Sequence, residues 1–154
     1  MVHEVATPLP DPVMPDADWA DGWRTSPINA YATARAAAET VFGNMPAWAR
    51  RLLVVRDILV APLGLQTDGN RRDGPDGERI GIFSLISDAP GRVVVGMDDV
   101  HLDFRCVVDL DGADDGQTVT VRTLIRRHNR LGRTYLATIL PFHRLIVRAC
   151  LRRL

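Results

Sequence analysis

Lysine is absent from this 154-residue chain: all nineteen basic residues are arginine, and nineteen acidic residues balance them to a formal net charge of zero. Zero net charge gives a polyelectrolyte no bulk attraction, so no nucleic-acid partner is expected. The one-sided choice of arginine reads as GC-rich coding rather than function. Cysteine is nearly absent too. Cys106 and Cys150 cannot form a disulfide framework and both occupy apolar pattern positions, where buried reduced thiols are expected. No apolar run reaches bilayer length: residues 52–65 come nearest but are broken by Arg56 and Asp57. The start carries Glu4 and four prolines (Pro8, Pro10, Pro12, Pro15) instead of a basic, then apolar, leader, so a cytoplasmic location is expected. The four histidines (His3, His101, His128, His143) show no HxxxH or HxH spacing and no cysteine pair nearby, which argues against a zinc site. GxGxxG, GK[ST] and GxSxG are all missing, and neither cysteine sits beside a local base. Nucleotide binding and covalent nucleophilic catalysis are therefore unsupported, and neither cofactor nor metal is expected.

What the chain does have is a long amphipathic end. Over residues 132–154, Tyr135, Leu136, Ile139, Ile146, Val147, Cys150 and Leu154 share one helical face. Arg133, Arg144, Arg148 and Arg152 share the other. Pro141 falls on the polar side, where its missing N–H should bend the helix toward the apolar face. His143 falls in the middle of the apolar face, where a titratable ring is unexpected. A curved helix with a polar group aimed inward suggests a cover over a cavity. After Asp115 the chain holds nine arginines and no acidic residue.

The rest reads in order. Residues 1–17 suggest an extended, weakly ordered tail, followed by a single domain over 18–154, an ordinary size for one core. A strand over 19–25 is anchored by Trp19 and Trp23. Asn29 is placed to cap a helix over 30–42 that ends at Gly43. Asn44 and Pro46 open a second helix to about Ala61, stopped by Pro62 and Gly64. Its apolar residues lie nearly all round, which predicts burial on more than one side. Residues 67–78 read as a mobile, charged loop. Runs at 79–87, 92–97, 101–110 and 118–128 then form an antiparallel meander. In the last pair, opposed positions summing to 229 set Phe104 against Ile125, Cys106 against Thr123 and Asp103 against Arg126. A sum of 227 would set Arg105 against Arg122, which like-charge repulsion disfavours.

The order strand, two helices, antiparallel strands, long terminal helix describes an α+β helix-grip architecture, a curved antiparallel sheet wrapped around the C-terminal helix. It is the arrangement of the START and birch-pollen-allergen-like superfamily. The segments IGIF (80–83), VGMDDVHLDFR (95–105), TLIRRHNRLGRTYL (123–136) and LPFHRLIVRACLRRL (140–154) resemble the bacterial domain-of-unknown-function family 2867. So do LVVRDILVAPLGL in the second helix and ADW near the start, and HLDFR, HNRLGR and PFHR are the most specific parts. The resemblance implies the helix-grip fold and no particular activity.

Function is then read from the site. The space between sheet and helix in such a fold suits a small, mainly apolar molecule oriented by a few polar groups. His143, Tyr135 and Ile139 are candidates from the helix, and His101, Arg105 and His128 from the sheet and the strand–helix junction. His143 is equally readable as a neutral core histidine bonded to a carbonyl or to Tyr135. If Phe104 and Cys106 face the helix, then His101, Asp103, Arg105, Arg126 and His128 lie outside as a salt-bridge ladder or docking surface. If HxDxR turns inward, His101, Arg105, His128 and His143 converge into an anion-binding or acid–base site. Three readings follow: a monomeric or homodimeric binder of a small apolar or amphipathic ligand; a cyclase- or dehydratase-like enzyme using His143 with His101 or His128; or an interaction module using the arginine-rich terminal helix.

Overall fold

A computed structural model describes residues 1–25, 31–43, 45–63, 78–112 and 116–154. The elements are β1 (Val2–Glu4), β2 (Trp19–Thr25), α1 (Ala34–Gly43), α2 (Ala47–Val60) with a 3-10 turn at Ala61–Leu63, β3 (Arg79–Ile80), β4 (Phe83–Ala89), β5 (Arg92–Asp98), β6 (Leu102–Asp111), β7 (Thr118–Arg127) and α3 (Arg130–Leu151). The strands form one antiparallel sheet in the order β1-β2-β7-β6-β5-β4-β3. The architecture is the α+β helix-grip arrangement, with two helices after β2 and the long helix last.

Period-2 alternation sorts the strand residues onto two faces. Val93, Val95, Cys106, Val108, Val119 and Val121 face α1 and α3 in the main core, joined by Trp23 of β2. The β6–β7 register is the one the pattern predicts: Phe104 opposes Ile125, Cys106 opposes Thr123 and Asp103 opposes Arg126. The predicted strand over 79–87 is instead a hairpin. Gly81 adopts φ +60° in its turn, against the backbone of Phe42, and splits β3 from β4.

Helix α1 buries Ala34, Ala37, Ala38 and Val41. It starts four residues later than expected, with Thr33 Oγ1 accepting from the Ala36 N–H; Asn29 and Asn44 lie outside the described residues, as does 67–77 of the charged loop. Helix α2 departs furthest from expectation. Ala49 is fully buried, but Val54, Val55 and Ile58 are 58, 51 and 68% exposed. Helix α1 already occupies the place against the strands, and α2 presents Leu52, Leu53 and Val55 to an unfilled interior instead of a packed core.

The first seventeen residues carry β1, and Met14, 6% exposed, packs with Val94, Val107 and Leu124 on the outer sheet face. Asp11 accepts from the Arg122 guanidinium, which also reaches Asp109 at 3.0 Å, and Arg92 meets the same Asp109 at 2.5 Å. Asp16 pairs with Arg126 and Asp18 with Arg127. The acid-free C-terminal stretch thus finds its counter-charges in the N-terminal segment.

The β7–α3 junction is where HNRLGR sits. Asn129 caps α3, its side chain accepting from the Gly132 N–H at 3.0 Å, while its amide nitrogen contacts His101 Nδ1 at 2.9 Å. A Cβ on Gly132 would stand 2.2 Å from the His101 carbonyl oxygen, so only glycine lets the helix start this close to the sheet. Gly132→Ala is expected to destabilise the fold by about 2–3 kcal/mol, and Asn129→Ala by about 1 kcal/mol. Urea denaturation followed by circular dichroism measures both, and the order of the two effects checks the geometry.

Candidate functional site

Between α2, α3 and the inner sheet face lies a cavity of about 500 Å³. Phe83, Phe104, Cys106, Val121 and Thr123 form its sheet wall; Val41, Phe42, Leu52 and Leu53 come from α1 and α2; and Tyr135, Ile139, Phe142, His143, Ile146 and Val147 come from α3. Val55 and Phe142 line it while about half exposed, so it opens beside them. At roughly 24 cal/mol per Å³, a sealed and empty void of this size would cost on the order of 12 kcal/mol. That rivals the whole stability of a domain. A space of this size is therefore tolerated as an open cleft and not as a sealed packing defect.

Its polar end is built by two elements far apart in sequence. Alternation along β2 puts Trp19, Asp21 and Trp23 on the inner face. The Asp21 side chain is 3% exposed. One carboxylate oxygen accepts from Trp23 Nε1–H at 3.2 Å, and the other contacts His143 Nε2 at 3.2 Å. Trp19 meets the His143 ring edge-on, centroids 6.0 Å apart. With Asp21 as the acceptor of this contact, Nε2 of His143 is the donor. Such a pair fixes the orientation of the imidazole, which also lines the cavity and so presents a polar ring to a molecule there.

Tyr135, Ile139 and His143, nominated from the sequence, line the cavity together. His101, Arg105 and His128 are not among its walls. Arg105 donates to Asp98 at 2.6 Å and to the Met97 carbonyl at 3.2 Å. His128 pairs with Asp103 at 3.0 Å, and His101 sits against the Asn129 cap. Phe104 and Cys106 face the helix, so the HxDxR residues lie on the opposite side, and the inward convergence of three histidines does not form. Among the described residues the hydrogen-bond partner of His143 is Asp21, a residue not singled out in the sequence, and not a carbonyl or Tyr135. The available signal was the WADGW strand, whose alternation sets a lone carboxylate between two inward tryptophans. Arg148, one of the four arginines grouped on the polar helical face, lays its guanidinium over the Trp23 ring, 5.4 Å from the centroid.

Cys106 and Cys150 are free and buried, as expected. Burial pushes the Cys150 thiol up to about 11, with nearby Arg153 pulling the other way. Burial raises Cys106 further, helped by the charge of Asp21. Thiolate is the reactive form, so a raised value leaves both groups as inert thiols near neutral pH and lets thiolate grow only in strong alkali. Among the described residues no cluster of histidine, cysteine and carboxylates could hold a metal, and no helix is long and apolar enough to cross a membrane. Iodoacetamide at pH 8 is expected to label neither cysteine in the folded protein and both after urea unfolding, as counted by intact-mass spectrometry.

No curated protein and no solved structure matches the chain. Residues 13–150 match the family described as Protein of unknown function (DUF2867), which takes in everything from the outer-face segment to Cys150 at the cavity wall. The chain belongs to that family.

Proposed function

We propose that this protein binds a small, mainly apolar molecule between the inner face of its sheet and α3, with the Asp21-backed imidazole of His143 orienting it. The observation that carries this reading is the cavity itself: about 500 Å³, walled mainly by aliphatic and aromatic side chains, with the imidazole of His143 held by Asp21 among its few polar groups. Ligand sites have this composition, apolar walls for affinity and few polar groups for orientation. An interaction module would be expected to fill its interior, and this interior is open. An enzyme pairing His143 with His101 or His128 lacks the second ring in the cavity wall.

N-phenylnaphthylamine, a neutral apolar fluorophore, is expected to bind with enhanced, blue-shifted emission, and native mass spectrometry is expected to show a molecule copurified with the protein. Ile139→Trp, which fills the cavity from α3, should weaken fluorophore binding by about tenfold or more, since each 1.4 kcal/mol of lost contact is a factor of ten. Equal binding by a folded Ile139→Trp protein would place the fluorophore elsewhere and contradict the proposal.

A further inference from the structure

The charges of this chain are sorted by face. On the sheet, Arg92, Arg105, Arg122, Arg126 and Arg127 each meet a carboxylate. The two helices at the mouth of the cavity differ. Helix α3 carries four arginines and no carboxylate. In α2, Arg50 and Arg51 are exposed and enter no ion pair among the described residues. A formal charge of zero over the whole chain thus leaves a local surplus of positive charge on these helices.

The same helices leave large apolar side chains in water. Trp48, Arg51, Val55 and Ile58 recur at i, i+3, i+7 and i+10 and so form one stripe along α2, with Trp48 44% exposed. Arg50 and Arg51 share a surface groove with Val54 and Val55, and Val55 also lines the cavity. On α3, Phe142 lines the cavity and Leu145 follows three residues on, 48 and 54% exposed. Cationic groove, apolar stripe and cavity mouth are continuous.

Charge decides what covers this surface. A second copy packed about a two-fold axis here would set Arg50 and Arg51 against their own counterparts, with no carboxylate on α3 to offset them. An anionic bilayer meets every part of the surface. Its phosphates suit the guanidinium groups, its interfacial zone suits Trp48, and its acyl boundary takes the aliphatic side chains. It is also the phase in which an apolar ligand is dissolved, so the cavity would open onto its supply.

We infer that α2 and α3 dock the mouth of the cavity onto an anionic lipid bilayer, the source from which the apolar ligand enters. This inference rests on the cavity-binding reading above, which the fluorophore tests separately in vesicle-free solution. The experiment is flotation of the full-length protein with vesicles of phosphatidylcholine alone, or of phosphatidylcholine and phosphatidylglycerol in equal parts. The mixed vesicles should bind at least about tenfold more tightly at low salt, and the difference should shrink in high salt. Arg50→Gln with Arg51→Gln should weaken binding to mixed vesicles about 25-fold, at about fivefold for each arginine. Ile58→Ser with Leu145→Ser, neither of which lines the cavity, should weaken it about tenfold and leave N-phenylnaphthylamine binding unchanged, which also shows that the variant is folded. Equal binding to both kinds of vesicle, no binding to either, or unchanged binding by the two variants would overturn the inference and leave cavity binding standing. A dimer in sedimentation that Ile58→Ser with Leu145→Ser dissolves would assign the surface to a second copy and overturn it as well. A wild type that binds mixed vesicles but not the fluorophore would overturn the cavity reading instead.

Discussion

A single hydrogen bond between residues 122 positions apart ties the middle of the terminal helix to the second strand. Asp21 and His143 meet beside an interior that side chains do not fill, so this contact ties the middle of α3 to β2 where hydrophobic packing is incomplete. A hydrogen bond to a charged group contributes on the order of 2 kcal/mol. That is small beside the apolar contacts at the two ends of the helix, where Leu136 is 3% and Leu151 1% exposed. Its importance is geometric. The helix is clamped at both ends by buried leucines and by the Asn129 cap, and its centre is tied to β2 by a polar pair.

The same division of labour runs through the sheet. The outer face is closed by charge and by Met14, with Asp11, Arg122, Asp109 and Arg92 in one chain of ion pairs. Because that face is closed by the N-terminal segment, the inner face is free to carry the cavity. The two faces of β6 show the result: Asp103, Arg105 and Asp109 bind neighbouring side chains outside, while Phe104 and Cys106 line the empty space inside. Histidines 101 and 128 serve the junction that launches α3, and the close approach of Gly132 to the His101 carbonyl sets the angle at which the helix leaves the sheet.

Much of this was legible in the residues. Alternation and like-charge avoidance were enough to give the β6–β7 register pair by pair, because one face had to be apolar and Arg105 could not oppose Arg122. Helical periodicity gave α3 and singled out His143. The partner of His143 was not legible, since periodicity says which way a side chain points and not which distant residue it meets. The burial of α2 was misread for a related reason: an apolar surface pattern looks the same whether it faces packed side chains or the roof of a cavity. The Gly81 turn was missed because one glycine in a strand-like run signals a bulge as readily as a hairpin.

The account turns on the protonation geometry of one ring, and nitrogen-detected NMR of histidine-labelled protein reads it directly. The Asp21 contact predicts that Nε2 of His143 carries a proton, protected from exchange in the wild type and exposed to it in Asp21→Asn. A His143 ring that carries its only proton on Nδ1, or whose Nε2 proton exchanges freely in the wild type, would mean that Asp21 does not hold it, and the oriented imidazole at the cavity wall would not exist.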